Sequence, residues 1–144
     1  MSRPEHTSFL RLNYYPLCKT PAAPDGNEAA SEGYLGINPH TDAGAITLLM
    51  QDEQAGLEIY RDGRWHRVEG GSLVVHLGDI VQVWSNDRYP APIHRVAANT
   101  SAERMSAPYF FNPAYKTNYQ PLDATIDGDN PARNRLNSPQ FIVR

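Results

Sequence analysis

The residues best suited to chemistry in this chain are histidines and charged side chains spaced along short extended runs. Five histidines occur, His6, His40, His66, His76 and His94, and His40 is the informative one because it lies in Asn38-Pro39-His40-Thr41-Asp42-Ala43-Gly44. On an extended backbone residues i and i+2 point to one face, so His40 and Asp42 can offer an imidazole nitrogen and a carboxylate to one metal ion. A second imidazole from another strand, for which His94 in Ile93-His94-Arg95-Val96 is the candidate, completes the set of two histidines and one carboxylate used by non-haem Fe(II) oxygenases, with positions left open for co-substrate and oxygen. A His-x-Asp pair taken alone is a weak signal, because it recurs by chance.

Ten residues beyond His94, Arg104-Met105-Ser106 again puts two polar side chains on one face of an apolar run that ends Tyr109-Phe110-Phe111. An inward arginine there needs an anionic partner, because an unpaired buried charge is costly. Its planar fork suits a carboxylate held by two parallel hydrogen bonds, with Ser106 adding a third. The plainer alternative places Arg104 on the solvent face beside Glu103. Arg11, Asn13 and Tyr15 form a third same-face set within Leu10–Pro16, which alone reads as an ordinary amphipathic strand.

The elements that must carry these residues are short β-type runs bounded by turn residues. The expected strands are Ser8–Tyr15, Ala45–Met50, Gly56–Tyr60, Arg64–Val68, Ser72–Leu77, Ile80–Trp84, Ile93–Ala98 and Arg104–Phe111, with Arg61-Asp62-Gly63 as a hairpin connection and Gly78-Asp79 as a turn. Lys19–Ser31, rich in Pro, Ala, Asp, Gly and Asn, reads as a surface loop. From Pro113 onward turn formers dominate, and only Gln140–Val143 is apolar again. Many short strands imply an all-β sandwich or jelly roll.

Composition narrows the partners. The 144 residues suffice for one domain, and 40% hydrophobic residues allow a real core. With 13 Lys+Arg against 16 Asp+Glu the net charge is −3, and no basic run occurs, which argues against nucleic acid. The apolar runs are far shorter than the roughly 20 residues of a membrane span, and residues 1–11 lack a signal-peptide apolar region. The single cysteine, Cys18, excludes an intramolecular disulfide and a multi-cysteine metal site. The expected location is the cytoplasm.

Several stretches in order resemble the iron(II)- and 2-oxoglutarate-dependent dioxygenases, in the branch of isopenicillin N synthase and the plant anthocyanidin synthase type. They are Leu12-Asn13-Tyr14-Tyr15-Pro16, Pro39-His40-Thr41-Asp42, Gly56-Leu57-Glu58-Ile59 before Asp62-Gly63-Arg64-Trp65, Gly78-Asp79 before Trp84-Ser85-Asn86, His94-Arg95-Val96, and Arg104-Met105-Ser106. The interval from Asp42 to His94 (94 − 42 = 52 residues) is similar to that family's spacing.

The resemblance implies a double-stranded β-helix, a cupin-like jelly-roll barrel, with Fe(II) held by His40, Asp42 and His94. It implies 2-oxoglutarate as co-substrate, its far carboxylate on Arg104 and Ser106 with help from Tyr15 and Asn13, and O2 as oxidant. Phe110 and Arg11 match positions that touch substrate in some members. His76 stands where plant members commonly have asparagine; it reads as a strand histidine facing a polar neighbour, the alternative being a fourth polar group near the site, and it is not counted as a ligand. The implied division is a core over 1–113, best matched over 8–113, and an irregular tail over 114–144. Full-length members carry a long N-terminal region before this part, so the barrel is expected to be incomplete there, with a missing N-terminal half or a partner chain covering it.

The implied function is oxidation of a small organic substrate coupled to 2-oxoglutarate decarboxylation, with no nucleic-acid or membrane partner. Two alternatives are a 2-oxoglutarate-independent oxidase like isopenicillin N synthase and a catalytically silent β-barrel binding module. A zinc hydrolase shares the ligand set but leaves Arg104-Met105-Ser106 unexplained.

Overall fold

In the computed structural model, which describes residues 5–22 and 33–132, the chain folds into two antiparallel sheets. One has five strands: β1 (Phe9–Leu10), β2 (Asn13–Tyr15), β4 (Ile46–Gln51), β7 (Leu73–Leu77) and β9 (Arg104–Phe111), in the order β1-β9-β4-β7 with β2 also on β9. The other has β3 (Leu35–His40), β5 (Leu57–Arg61), β6 (Arg64–Arg67) and β8 (His94–Ala97), in the order β3-β8-β5-β6. This is the two-sheet arrangement of the double-stranded β-helix.

Alternation sets the faces. Along β4, Thr47 and Leu49 are buried while Leu48 and Met50 are exposed, as a strand covered on one face requires. Leu49 from one sheet and Leu57 and Val96 from the other are buried and line the cavity between the sheets. The opposite face of the five-stranded sheet leaves Met50, Leu73, Val75 and Met105 exposed.

The run Ser8–Tyr15 forms two short strands rather than one. Arg11 N donates to Pro108 O at 3.0 Å, but Pro108 has no N–H to return, so the ladder along β9 is interrupted between β1 and β2. Asp62 at φ 53° and Gly63 at φ 79° make the β5–β6 connection, a two-residue turn with both residues left-handed. Lys19–Ser31 falls partly, and Gln140–Val143 wholly, outside the described residues.

Two expectations are corrected. Ile80–Trp84 is not a strand but part of the helix α1, Asp79–Trp84, with Ile80 and Val83 buried. A short apolar run fits either state, and here the i, i+3 pair buries one helical face. Leu35–His40, unassigned from sequence, is strand β3 despite Gly36, Asn38 and Pro39; among the described residues it lies at a sheet edge and pairs only β8, with register shifts. Edges tolerate such residues.

The turn before α1 fixes the segment that carries Asp42. Gly78 N donates to Ala45 O (2.8 Å), Asp79 N to Asp42 O (2.8 Å) and Ile80 N to Gly44 O (3.1 Å). A Cβ on Gly78 would sit 2.1 Å from Gly44 O and 2.8 Å from Asp42 O. Gly78→Ala is therefore expected to cost about 3 kcal/mol or more, since overpacking against backbone finds little relief. Thermal unfolding checks this, and an unchanged Tm contradicts the placement of the turn.

Among the described residues after Ala114 there is one 3-10 turn, Asp123–Thr125. It docks on the end of α1 through Leu122 N to Trp84 O (3.0 Å) and Asn86 Nδ2 to Asn130 O (3.0 Å). Among the described residues, no helix is long and apolar enough to cross a membrane.

Candidate active site

His40 ends β3 and His94 begins β8, and the two stand opposite each other in the ladder. Their rings lie 4.3 Å apart between centroids. Asp42 follows two residues after His40 in the segment held by the Gly78 turn, so one strand end, its cross-strand neighbour and one tethered loop converge. His94 Nε2 lies 3.6 Å and His40 Nε2 3.8 Å from Asp42 Oδ1. The ligand atoms of the three all fall within 4.8 Å of one another.

The outer nitrogens decide what these rings offer. His40 Nδ1 is 2.8 Å from Asn38 O and His94 Nδ1 is 3.1 Å from Pro92 O. A carbonyl oxygen only accepts, so each Nδ1 carries the proton and donates. Burial lowers the His94 pKa and keeps that ring neutral, the carbonyl contact and Asp42 opposing it only in part. The His94 Nε2 lone pair thus faces a carboxylate with no proton between them, and Asp42 Oδ2 is buried without a partner. That donor set fits a divalent cation, and carbonyl-anchored Nδ1 atoms are the outer support metal-binding histidines use.

The same cavity, about 270 Å³, is also lined by Arg11, Asn13, Tyr15, Arg104, Ser106 and Phe110. All nine residues singled out from sequence therefore meet in one place. Arg104 is 1% exposed, so the solvent-face alternative fails; Glu103 instead accepts from Tyr14. Arg104 Nη2 donates to Gln51 Oε1 (2.8 Å) and Nε to Gln54 O (3.2 Å), with the Tyr15 ring 5.0 Å away. Nη1 is buried without a partner, and among the described residues no carboxylate pairs with Arg104. Such a guanidinium fits the far carboxylate of a bound dicarboxylate. Its stem passes Gly56, where a Cβ would sit 2.9 Å from Arg104 Cδ. Asn13 Nδ2 donates to Ser106 Oγ at 3.4 Å.

Sequence reasoning missed three residues and set His76 aside as a strand histidine. Thr47 lines the cavity from β4, Gln51 and Gln54 fix Arg104, and His76 belongs to the cavity, its ring stacked on His94 at 4.4 Å. His76 lies outside the three-residue ligand cluster, in keeping with its not being read as a ligand. Asp79, beside Asp42, has its carboxyl pushed up by burial, a hydrogen bond from Thr41 opposing and Asp42 adding to the shift.

Burial lowers the His76 imidazole from 6.5 to about 4, with His94 adding and Asp42 opposing. The unfolded chain then binds a proton between pH 6.5 and 4 that the folded chain refuses, so stability rises with pH across that window. Metal-free protein should be fully stable above about pH 6.5 and lose on the order of 3 kcal/mol toward pH 4. Unfolding of the metal-free chain at stepped pH checks this; His76→Phe should flatten the profile, and a flat wild-type profile contradicts it.

Comparison with known proteins places this geometry. Residues 6–113 match the family described as the 2OG-Fe(II) oxygenase superfamily. Gibberellin 2-beta-dioxygenase 6 of Oryza sativa subsp. japonica is 43% identical over 113 residues, which is 77% of this chain and 29% of that protein. The crystal structure of JOX2 in complex with 2OG, Fe and JA superposes with a TM-score of 0.73 at 35% identity, covering 87% of this chain and 35% of that one. Full-length Neurospora crassa T7H in complex with alpha-KG gives 0.73 at 28% identity, covering 90% and 41%. The chain thus spans about a third of the length of the relatives it matches. With the family match running over residues 6–113, and structures that hold 2-oxoglutarate superposing over 87% and 90% of its length, the chain belongs to the 2OG-Fe(II) oxygenase superfamily.

Proposed function

We propose that this chain carries the metal and co-substrate site of an Fe(II)- and 2-oxoglutarate-dependent oxygenase that oxidises a small organic molecule. The observation that carries the reading is the convergence, in one cavity, of the His40–Asp42–His94 cluster and the unpaired Nη1 of buried Arg104. His40, Asp42 and His94 would hold Fe(II). Arg104 and Ser106, with Tyr15 and Asn13, would bind the far carboxylate of 2-oxoglutarate, and Phe110 and Arg11 would contact the organic substrate. When bound, the iron supplies O2 activation coupled to decarboxylation of 2-oxoglutarate to succinate, and oxidation of a substrate C–H bond.

The protein's own share is placement. The Asn38 and Pro92 carbonyls orient the two imidazoles, and Gln51 and the Gln54 carbonyl fix the guanidinium before the ligand arrives. Ile37, Leu49, Leu57 and Val96 line the stretch between and exclude water.

The unpaired Arg104 favours a 2-oxoglutarate enzyme over an oxidase that binds none, and the complete ligand set disfavours a silent binding module. The isopenicillin N synthase-like branch, a core over 8–113 and a tail over 114–144 belong to this reading. So does an N-terminal half or partner chain over the barrel, which the exposed Met50, Leu73 and Met105 support. The lone Cys18 and the modest negative charge suit a cytoplasmic enzyme without nucleic-acid or membrane partners. The test is Fe(II)-dependent formation of succinate from 2-oxoglutarate, and a purified, folded chain that forms none at any Fe(II) concentration sinks the reading.

A further inference from the structure

Two polar atoms in the cavity have no role in the reading above. Thr47 Oγ1 and His76 Nε2 are buried without a hydrogen-bond partner, and each residue is only 2% exposed. They are cross-strand neighbours in the β4–β7 ladder, and both side chains line the cavity. Same-face pairs at one ladder position stand close enough to act on one group.

Their place in the cavity indicates what that group is. The inward side of β4 runs Thr47, Leu49, Gln51, and Thr47 and Gln51 lie about 13 Å apart along an extended strand. Gln51 holds Arg104 at one end. At the other end the His76 ring is stacked on His94, 4.4 Å between centroids and 16° between planes, which fixes the plane of the ring. Leu49 lies between them on β4, with Pro108 as its partner on β9, and both line the cavity. The cavity therefore has two polar ends and an apolar waist, the shape of a short dicarboxylate.

We propose that His76 Nε2 and Thr47 Oγ1 are a second pair of co-substrate-positioning groups, hydrogen-bonding the 2-oxo carboxylate at the metal end while Arg104 and Ser106 hold the far carboxylate. This rests on the 2-oxoglutarate reading given above. A carboxylate accepts only, so both groups donate, His76 through its Nε2–H tautomer and Thr47 through its hydroxyl. An apolar ligand group at that end would leave both atoms desolvated and unpaired, which is unfavourable. A fourth metal ligand is not what His76 supplies, because the ligand cluster among the described residues is His40, Asp42 and His94.

The experiment is an anaerobic 2-oxoglutarate titration of the Fe(II)-loaded chain, read by its visible charge-transfer absorption, with Fe(II) affinity measured separately. His76→Phe keeps the stacked ring and removes both nitrogens; it should raise the 2-oxoglutarate Kd about tenfold and move the absorption band, with Fe(II) affinity unchanged. Thr47→Val should act in the same direction by a smaller factor. His76→Asn, which restores an N–H, should recover part of the affinity.

Wild-type Kd and band position in both His76→Phe and Thr47→Val, with affinity lost in Arg104→Ala, overturn the proposal and leave the co-substrate reading standing. Parallel loss of Fe(II) affinity in His76→Phe also overturns it, because the ring would then only support His94. If His76→Phe does not fold by circular dichroism, Thr47→Val and His76→Asn decide the matter. Absence of the band in the wild-type chain removes the reading and the proposal together.

Discussion

Asp42→Ala is expected to abolish Fe(II)-dependent succinate formation and to weaken Fe(II) binding by well over about a hundredfold, more than loss of an outer-shell partner costs. The reason is charge. Asp42 is the one anionic member of the ligand cluster, and the Nε2 atoms of His40 and His94 lie 3.8 Å and 3.6 Å from its Oδ1. Without a cation that arrangement is not favourable, and Oδ2 has no partner. The same substitution should therefore leave the metal-free protein as stable as wild type, or more so, while removing the rise in Tm that Fe(II) produces by binding only the folded state. Paired unfolding curves with and without Fe(II) show both effects. A metal-free Asp42→Ala protein several degrees less stable would mean the carboxylate is a structural group, and a retained Fe(II)-induced rise would mean the ion binds elsewhere.

Arg104→Ala should raise the 2-oxoglutarate Kd by about 10²–10³-fold, the scale of losing one partner of a desolvated, charge-assisted pair. Fe(II) affinity should stay near wild type, because Arg104 lies at the end of the cavity held by Gln51 and Gln54. Arg104→Lys should recover only a small part. A lysine ammonium lacks the Nε–H that donates to Gln54 O and cannot make two parallel bonds to a carboxylate. Calorimetric titration with 2-oxoglutarate checks the ranking. Equal affinity in wild type and Arg104→Ala would put the far carboxylate elsewhere.

The parts of the site legible in the sequence are those fixed by local periodicity. His40 and Asp42 share a face because an extended chain alternates, as do Arg104 and Ser106, and Arg11, Asn13 and Tyr15. The structure adds what only the tertiary ladder sets. Thr47 in an apolar run looks like any β-former until its opposition to His76 and the burial of its hydroxyl are known. Gln51 and Gln54 support Arg104 across 53 and 50 positions of chain, a relation without local signature.

The misread elements have equally physical causes. Ile80–Trp84 is apolar but for Gln82 and too short for its period to declare itself; a helix follows from the backbone bonds that Gly78 and Asp79 make to the Asp42 segment. Leu35–His40 was hidden by Gly36 and Pro39, which a strand interior rejects but a sheet edge accommodates. The break between β1 and β2 traces to Pro108, whose effect lies on a strand about a hundred residues away in sequence.

The most direct measurement is an anaerobic titration of the purified chain with Fe(II) and then 2-oxoglutarate, followed by the weak visible absorption of an iron-chelated keto acid. The account predicts that absorption, saturating at one equivalent of each, absent in Asp42→Ala and shifted to much higher 2-oxoglutarate concentration in Arg104→Ala. A folded chain that binds Fe(II) yet gives no such absorption, or gives it undiminished in Asp42→Ala, contradicts the assignment of His40, Asp42 and His94 as its iron site.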